Sequence, residues 1–268
     1  MKLYHIKLWF ILLIVPVLAG CSSARISLTD PISLLRWQPQ PGLTWQWQLK
    51  GPINTSYDVS VYDIDLFDAP NETVQKLHAR GIKVICYFSA GTYEDWRTDA
   101  EKFSAAILGK PLEDWPDERW LDISKLEDLM PIMTARLNLA RERGCDAVEP
   151  DNVDGYDNDT GFTLSVNDQL RYNRWLAGAA HRRNLFIGLK NSLDLIPDLL
   201  NNFDFAVNEQ CFEYDECDKL LPFIDSDKAV FGVEYNLDSK QFCDKAKQMK
   251  LSWLKMSEEL DGGRVGCE

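Results

Sequence analysis

The chain has 268 residues, 45% of them hydrophobic, with 29 Lys and Arg against 42 Asp and Glu, a formal charge of −13. That acid excess argues against a nucleic-acid partner, whose phosphates need a cationic surface, and favours cationic ligands.

Lys2 and Lys7 precede an almost wholly apolar run from Leu8 to Leu18. The run is too short to span a bilayer comfortably, so residues 1–20 read as a signal peptide. Leu18-Ala19-Gly20-Cys21 resembles the lipobox of bacterial lipoproteins. That implies acylation of Cys21 and a lipid anchor in a membrane, with Ser22 after it favouring the outer membrane of a Gram-negative cell. The expected location is therefore outside the cytoplasm, at the outer membrane, in the periplasm or on the cell surface. Polar, Pro-containing residues 21–40 form a tether, and 41–268 suit one domain better than two. Besides Cys21 there are six cysteines, an even number that suggests disulfides in an oxidising compartment. Cys211 with Cys217 would staple a loop and Cys243 with Cys267 would tie down the tail, while Cys86 and Cys145 fit either a bridge or two buried thiols. With no CxxC and three histidines, no zinc cluster is expected.

Along the domain, Trp45 to Leu49 and Val59 to Ile64 are strand-like. Asn71 can cap a helix in which Val74 and Leu77 share a face and which Gly81 stops. Lys83 to Phe88 is the next strand and Arg119 to Leu121 a short candidate. A helix follows from about Leu129 to Arg143, with Pro131 in its first turn. Asp146 to Glu149 is a strand, and Ser165 to Asp168 has capping-box spacing before an apolar stripe of Leu170, Trp175, Leu176 and Ala179. Phe186 to Leu189, Phe205 to Val207 and Val230 to Val233 are further strands. Phe242, Ala246 and Met249 share a last helix face, ahead of Leu251 to Leu254. Such alternation points to an α/β fold, a single-domain (β/α)8 TIM barrel, with a doubly wound open sheet as the alternative. No Gly-rich phosphate loop supports a nucleotide-binding version of the latter, and no cofactor is expected. Nine candidate strands are one too many for eight units, so one lies outside the barrel or runs antiparallel.

A barrel carries its active site at the carboxyl ends of its strands. Reading past each apolar run gives Asp63 and Asp65, Tyr87, Asp122, Glu149 and Asp151, Lys190 and Asn191, Glu209, and Glu234 and Tyr235. Two clusters stand out: Glu149-Pro150-Asp151-Asn152-Val153-Asp154 and Asn208-Glu209-Gln210. Paired acids at strand ends suit glycoside cleavage, in which one carboxyl is protonated while the other is ionised. The three histidines fall in the signal peptide and in helical patterns, which argues against a Ser/His/Asp triad.

Trp45-Gln46-Trp47-Gln48-Leu49, Tyr62-Asp63-Ile64-Asp65, Val84 to Ser89, Glu94-Asp95-Trp96-Arg97, Arg119-Trp120-Leu121-Asp122, Glu149 to Tyr156, Lys190-Asn191, Val207 to Cys211 and Val233-Glu234-Tyr235 together resemble glycoside hydrolase family 114. The resemblance runs in order from Trp37 to Tyr235. It implies a (β/α)8 barrel and endo-α-1,4-polygalactosaminidase activity, with Asp151 and Glu209 as the catalytic pair. Asp151 as nucleophile and Glu209 as acid/base would give retention, which needs carboxyls about 5–5.5 Å apart. The other rim residues then look like substrate binders. Asp63, Asp122, Asp154 and Glu234 would pair with sugar ammonium groups, and Tyr62, Tyr87, Trp96, Trp120, Tyr156 and Tyr235 would stack. Lys190 with Asn191 would orient the acids, and Glu149 would raise a neighbour's pKa. The implied partner is a cationic amino-sugar polysaccharide. A non-catalytic glycan-binding lipoprotein and a glycosidase for another α-linked glycan stay open.

Overall fold

The computed structural model describes residues 37–268, so the expected signal peptide, the lipidation expected at Cys21 and the expected tether up to residue 36 lie outside the described residues. In chain order the elements are β1 (Trp45–Gln48), β2 (Val61–Asp65), α1 (Asn71–His78), β3 (Lys83–Ser89), β4 (Thr92–Glu94), β5 (Leu108–Pro111), β6 (Glu118–Leu121) and α2 (Leu126–Arg143). There follow β7 (Ala147–Asp151), α3 (Val166–His181), β8 (Phe186–Lys190), α4 (Ile196–Leu199), β9 (Phe205–Glu209), α5 (Leu221–Asp225), β10 (Val230–Glu234), α6 (Ser239–Gln248), β11 (Ser252–Met256) and β12 (Arg264–Gly266). The sheet order is β1-β2-β3-β7-β8-β9-β10-β11-β12, parallel throughout except for β12, which pairs antiparallel with β11. Eight parallel strands curl into a nearly closed TIM-type barrel. Its remaining seam is covered by the chain after β11: Leu49 and Lys50 N–H both donate to Leu260 O, at 2.9 and 3.2 Å, and Gln46 Nε2 donates to Gly262 O at 2.8 Å.

Strand side chains alternate between two apolar layers, because successive residues of a strand face opposite ways. Tyr62, Ile64, Val84, Cys86, Val148, Ile187 and Ala206 point outward and pack with helix residues such as Leu77, Leu137, Leu176 and Phe242. Trp45, Trp47, Val61, Ile85, Ala147, Phe205, Val207, Phe231 and Val233 fill the barrel axis. Both faces are covered, so these strands read as nearly continuous apolar runs. Residues 37–40, placed in the tether by the sequence, already belong to this packing. Trp37 sits edge-on to Phe186 with centroids 6.0 Å apart, and Pro39 O accepts from Ala229 N.

The strand outside the barrel is 119–121, which pairs antiparallel with β4 and β5 in a separate three-stranded sheet. The strand at 45–49 stays in the barrel although no helix separates it from β2. Side chains organise its crossover instead: Tyr62 hydroxyl donates to Asn54 O and accepts from Tyr57 N, and Gln48 bonds Lys50 O, Pro52 O and Asn54 N. Two helix starts also differ from expectation. Pro70, not Asn71, holds the cap position of α1. The α2 helix starts at Leu126, so Pro131 falls inside it rather than in its first turn. The capping box of Ser165 and Asp168 forms as expected. Disulfides join Cys86–Cys145, Cys211–Cys217 and Cys243–Cys267.

Candidate active site

Strands β7, β8 and β9 deliver Asp151, Lys190 and Glu209 to one end of the barrel axis. Each is followed by a residue at positive φ: Asn152 at 59°, Asn191 at 46° and Gln210 at 64°. A left-handed residue swings the loop outward while the side chain before it stays over the axis; asparagine tolerates that conformation well and glutamine less so. The turn after β3 clamps the same spot. Ala90 and Gly91 N–H donate to Asp151 O at 2.9 and 3.0 Å, and a Cβ on Gly91 would lie 1.6 Å from Asn152 O, so only glycine fits there.

Lys190 is the hub. Its buried ammonium is 3.1 Å from Asp151 Oδ1, 3.3 Å from Glu209 Oε2 and 3.1 Å from Glu149 Oε1, and lies 4.8 Å from the Trp47 ring centroid. Burial pulls its pKa down, but the charges of Asp151, Glu149 and Glu209 outweigh that and hold it well above an ordinary lysine. Asp151 also accepts from Tyr87 hydroxyl at 3.1 Å and Asn152 N at 2.8 Å. Glu209 accepts from Tyr235 hydroxyl at 2.6 Å and Asn191 Nδ2 at 3.1 Å. The Asn191 side chain turns its other end to Glu209 N at 3.0 Å and Asn208 Nδ2 at 3.2 Å. Both phenols are pushed above the usual tyrosine value, by burial first and by the neighbouring carboxylate second, so they remain neutral donors.

Below this layer lie Asp63 and Glu149, both sealed from solvent. Asp63 and Glu149 share a side-chain hydrogen bond; beyond it Asp63 has no donor among the described residues, and Glu149 has its ion pair with Lys190. Two such carboxyls in contact cannot both ionise. Burial, then the charge of Glu149, drives Asp63 well above the carboxylate range, and burial raises Glu149 to about 7 against the pull of Lys190. Near neutral pH the pair therefore holds at least one proton, on Asp63, and carries no more than one negative charge beneath the ammonium.

The cleft over this centre has a volume of about 930 Å³ and is lined by eleven carboxylates against Lys50, Arg97 and Lys190. Arg97 is already neutralised, at 2.7 Å from both Asp65 and Glu94, and Lys190 by its three acids. The lining is thus strongly negative. Asp154 and Glu118 within it are pushed to about 7, chiefly by burial. Of the sequence-proposed binders, Tyr87, Trp96, Asp154, Lys190, Asn191 and Tyr235 line the cleft.

Others do not. Tyr62 points to the outer layer and staples the crossover loop. Glu234 also points outward, accepting from Phe212 N and Trp253 Nε1, because strand alternation gives the axis to Val233 and Tyr235. Asp122 receives Ser124 N and Oγ in a turn beside the small sheet. Tyr156 packs against the outer layer, and Trp120 is buried. Asp63 and Glu149 lie beneath the site rather than on it. The sequence reading missed Lys50, Trp115, Glu258 and Glu259, all of which line the cleft. The last two lie just past β11, after Ser257, so reading a few residues beyond that strand would have found them; Trp115 sits in a loop and left no strand-end signal.

A parallel barrel with carboxylates at the carboxyl ends of β7 and β9, bridged by one ammonium from β8 between them, fits a glycoside hydrolase. The family model for glycoside hydrolase family GH114 matches residues 29–268. The chain belongs to that family. Among solved structures it is similar to Ega3 of Aspergillus fumigatus, crystallised with galactosamine, at 43% identity and TM-score 0.83 over 87% of this chain and 98% of that one. The glycoside hydrolase domain of PelA from Pseudomonas aeruginosa shares the fold at 12% identity and TM-score 0.65, over 83% of this chain and 96% of that one. A GH18 chitinase of Pseudoalteromonas aurantia does so at 10% identity and TM-score 0.51, over 81% of this chain and 94% of that one. No curated protein sequence matches.

Proposed function

We propose that the chain is an endo-hydrolase of α-1,4-linked galactosamine polymers, exported and held to a membrane by a lipid on Cys21. Asp151 serves as nucleophile and Glu209 as acid/base, with retention of anomeric configuration. The observation that carries this reading is the shared Lys190 ammonium. At 3.1 and 3.3 Å from the two acids, it keeps their nearest oxygens within roughly 6.4 Å. That ceiling accommodates the about 5–5.5 Å separation of a retaining pair and lies at the lower edge of the about 6.5–9.5 Å of an inverting one. The acidic cleft and the likeness to a protein crystallised with galactosamine support the substrate.

In the first step Asp151 attacks the anomeric carbon while Glu209 gives its proton to the departing oxygen, leaving a glycosyl ester. Tyr235 hydroxyl suits either state of Glu209, since it can donate to a carboxylate or accept from an acid. Once Asp151 is esterified it has lost its charge. Lys190 then stays paired with Glu149 and Glu209, and Glu209, having given up its proton, is the carboxylate that deprotonates the incoming water. Product sizing on deacetylated polygalactosamine tests the reading. The native protein should yield short oligomers, and Asp151→Asn or Glu209→Gln should lower turnover by about 10²–10⁴ or more while the variants stay folded by circular dichroism. Native protein that binds the polymer without shortening it would instead mark a glycan-binding module, and faster cleavage of another α-glycan would overturn the substrate.

A further inference from the structure

Three loops meet on one wall of the cleft. Lys50 follows β1, Trp115 lies between β5 and β6, and Glu259 follows β11. The Lys50 ammonium pairs with Glu259 Oε2 and sits 5.7 Å from the Trp115 ring centroid. All three side chains are open to solvent, with Trp115 44% exposed. An exposed indole beside an exposed carboxylate, within a sugar cleft, matches an amino sugar: the C–H face of the ring lies on the indole and its ammonium meets the acid.

We propose that Trp115 and Glu259 form a subsite for one galactosaminyl ammonium of the polymer, and that Lys50 fills it in the free protein as a built-in competitor. The proposal rests on the galactosamine reading above. Solvent-exposed cation–π and surface ion-pair contacts are individually weak, and the lysine stem is flexible, so the polymer can displace Lys50. One carboxylate and one indole face serve one ammonium, so binding of the two is exclusive. Displaced, Lys50 still sits near the incoming cation and repels it.

The decisive variant is Lys50→Met, because its sign separates a competitor from a bolt that merely holds the wall. Steady-state kinetics on deacetylated polygalactosamine should show KM falling about two- to fivefold in Lys50→Met, with the change confined to KM. Trp115→Ala and Glu259→Gln should raise KM by a similar factor. On the fully N-acetylated polymer, which lacks ammonium groups, Lys50→Met should give no gain. Cleavage of the polymer with KM unchanged or raised in Lys50→Met overturns the subsite alone. A native protein that never shortens the polymer overturns the substrate reading and the subsite with it.

Discussion

In the proposed mechanism Lys190 lets acids this close take opposite tasks, since without its ammonium the charges of Asp151, Glu149 and Glu209 would repel across the barrel axis. The protons held beneath it have a consequence for stability. Glu149 and Asp154 are both raised to about 7, so the folded chain keeps protons that the unfolded carboxyls, at 4.5 and 3.8, have already released. Their contribution is full below those unfolded values and is lost as pH rises through about 7. Melting temperature should therefore decline between about pH 4.5 and 7.5, and Glu149→Gln should flatten part of that decline. A slope unchanged or steeper in the variant would contradict the buried proton. The acids themselves were legible in the sequence, because apolar runs broke off at them. Which way each residue points was not. Glu234 and Tyr62 look like rim residues in a linear reading, yet one step along a strand flips the face, and both lie on the helix side.

At the scale of elements, the strands of the barrel were legible because both faces are apolar, and the capping box of α3 because its residue types are specific. The small sheet was not. Its β4 and β5 have three and four residues, and β5 is largely open to solvent, so no apolar run announces it. The crossover between β1 and β2 was equally hidden, since part-buried hydroxyl and amide groups stand where a parallel crossover usually has a helix. Spacing favoured two of the three disulfides, whereas Cys86–Cys145 joins residues 59 apart. That bridge ties β3 to the start of β7, and closing so long a loop contributes about 4 kcal/mol in the chain-entropy account, against about 2 for the short Cys211–Cys217 loop. Urea unfolding of the paired Cys→Ala variants should show the larger loss for Cys86–Cys145. Activity should suffer more without Cys211–Cys217, which secures the loop leaving Glu209. Equal losses of stability would argue against loop closure as the source.

For the molecule as a whole, the acid excess in the sequence gains a location. It is concentrated in the cleft, whose few cations are mostly paired internally. A negative trough collects a cationic polymer over distances comparable to the Debye length, so the attraction is screened by salt. KM for deacetylated polygalactosamine should rise several-fold between about 0.02 M and 0.5 M NaCl, while an N-acetylated polymer shows little change. Equal salt sensitivity for both would detach the charge from substrate capture. The central claim concerns the carboxylates that one lysine draws together. It is tested most directly by following the anomeric protons of new reducing ends by NMR during cleavage. The α-anomer should appear first and the β-anomer only later, by mutarotation; β-anomer formed first would mean inversion and would contradict Asp151 as nucleophile.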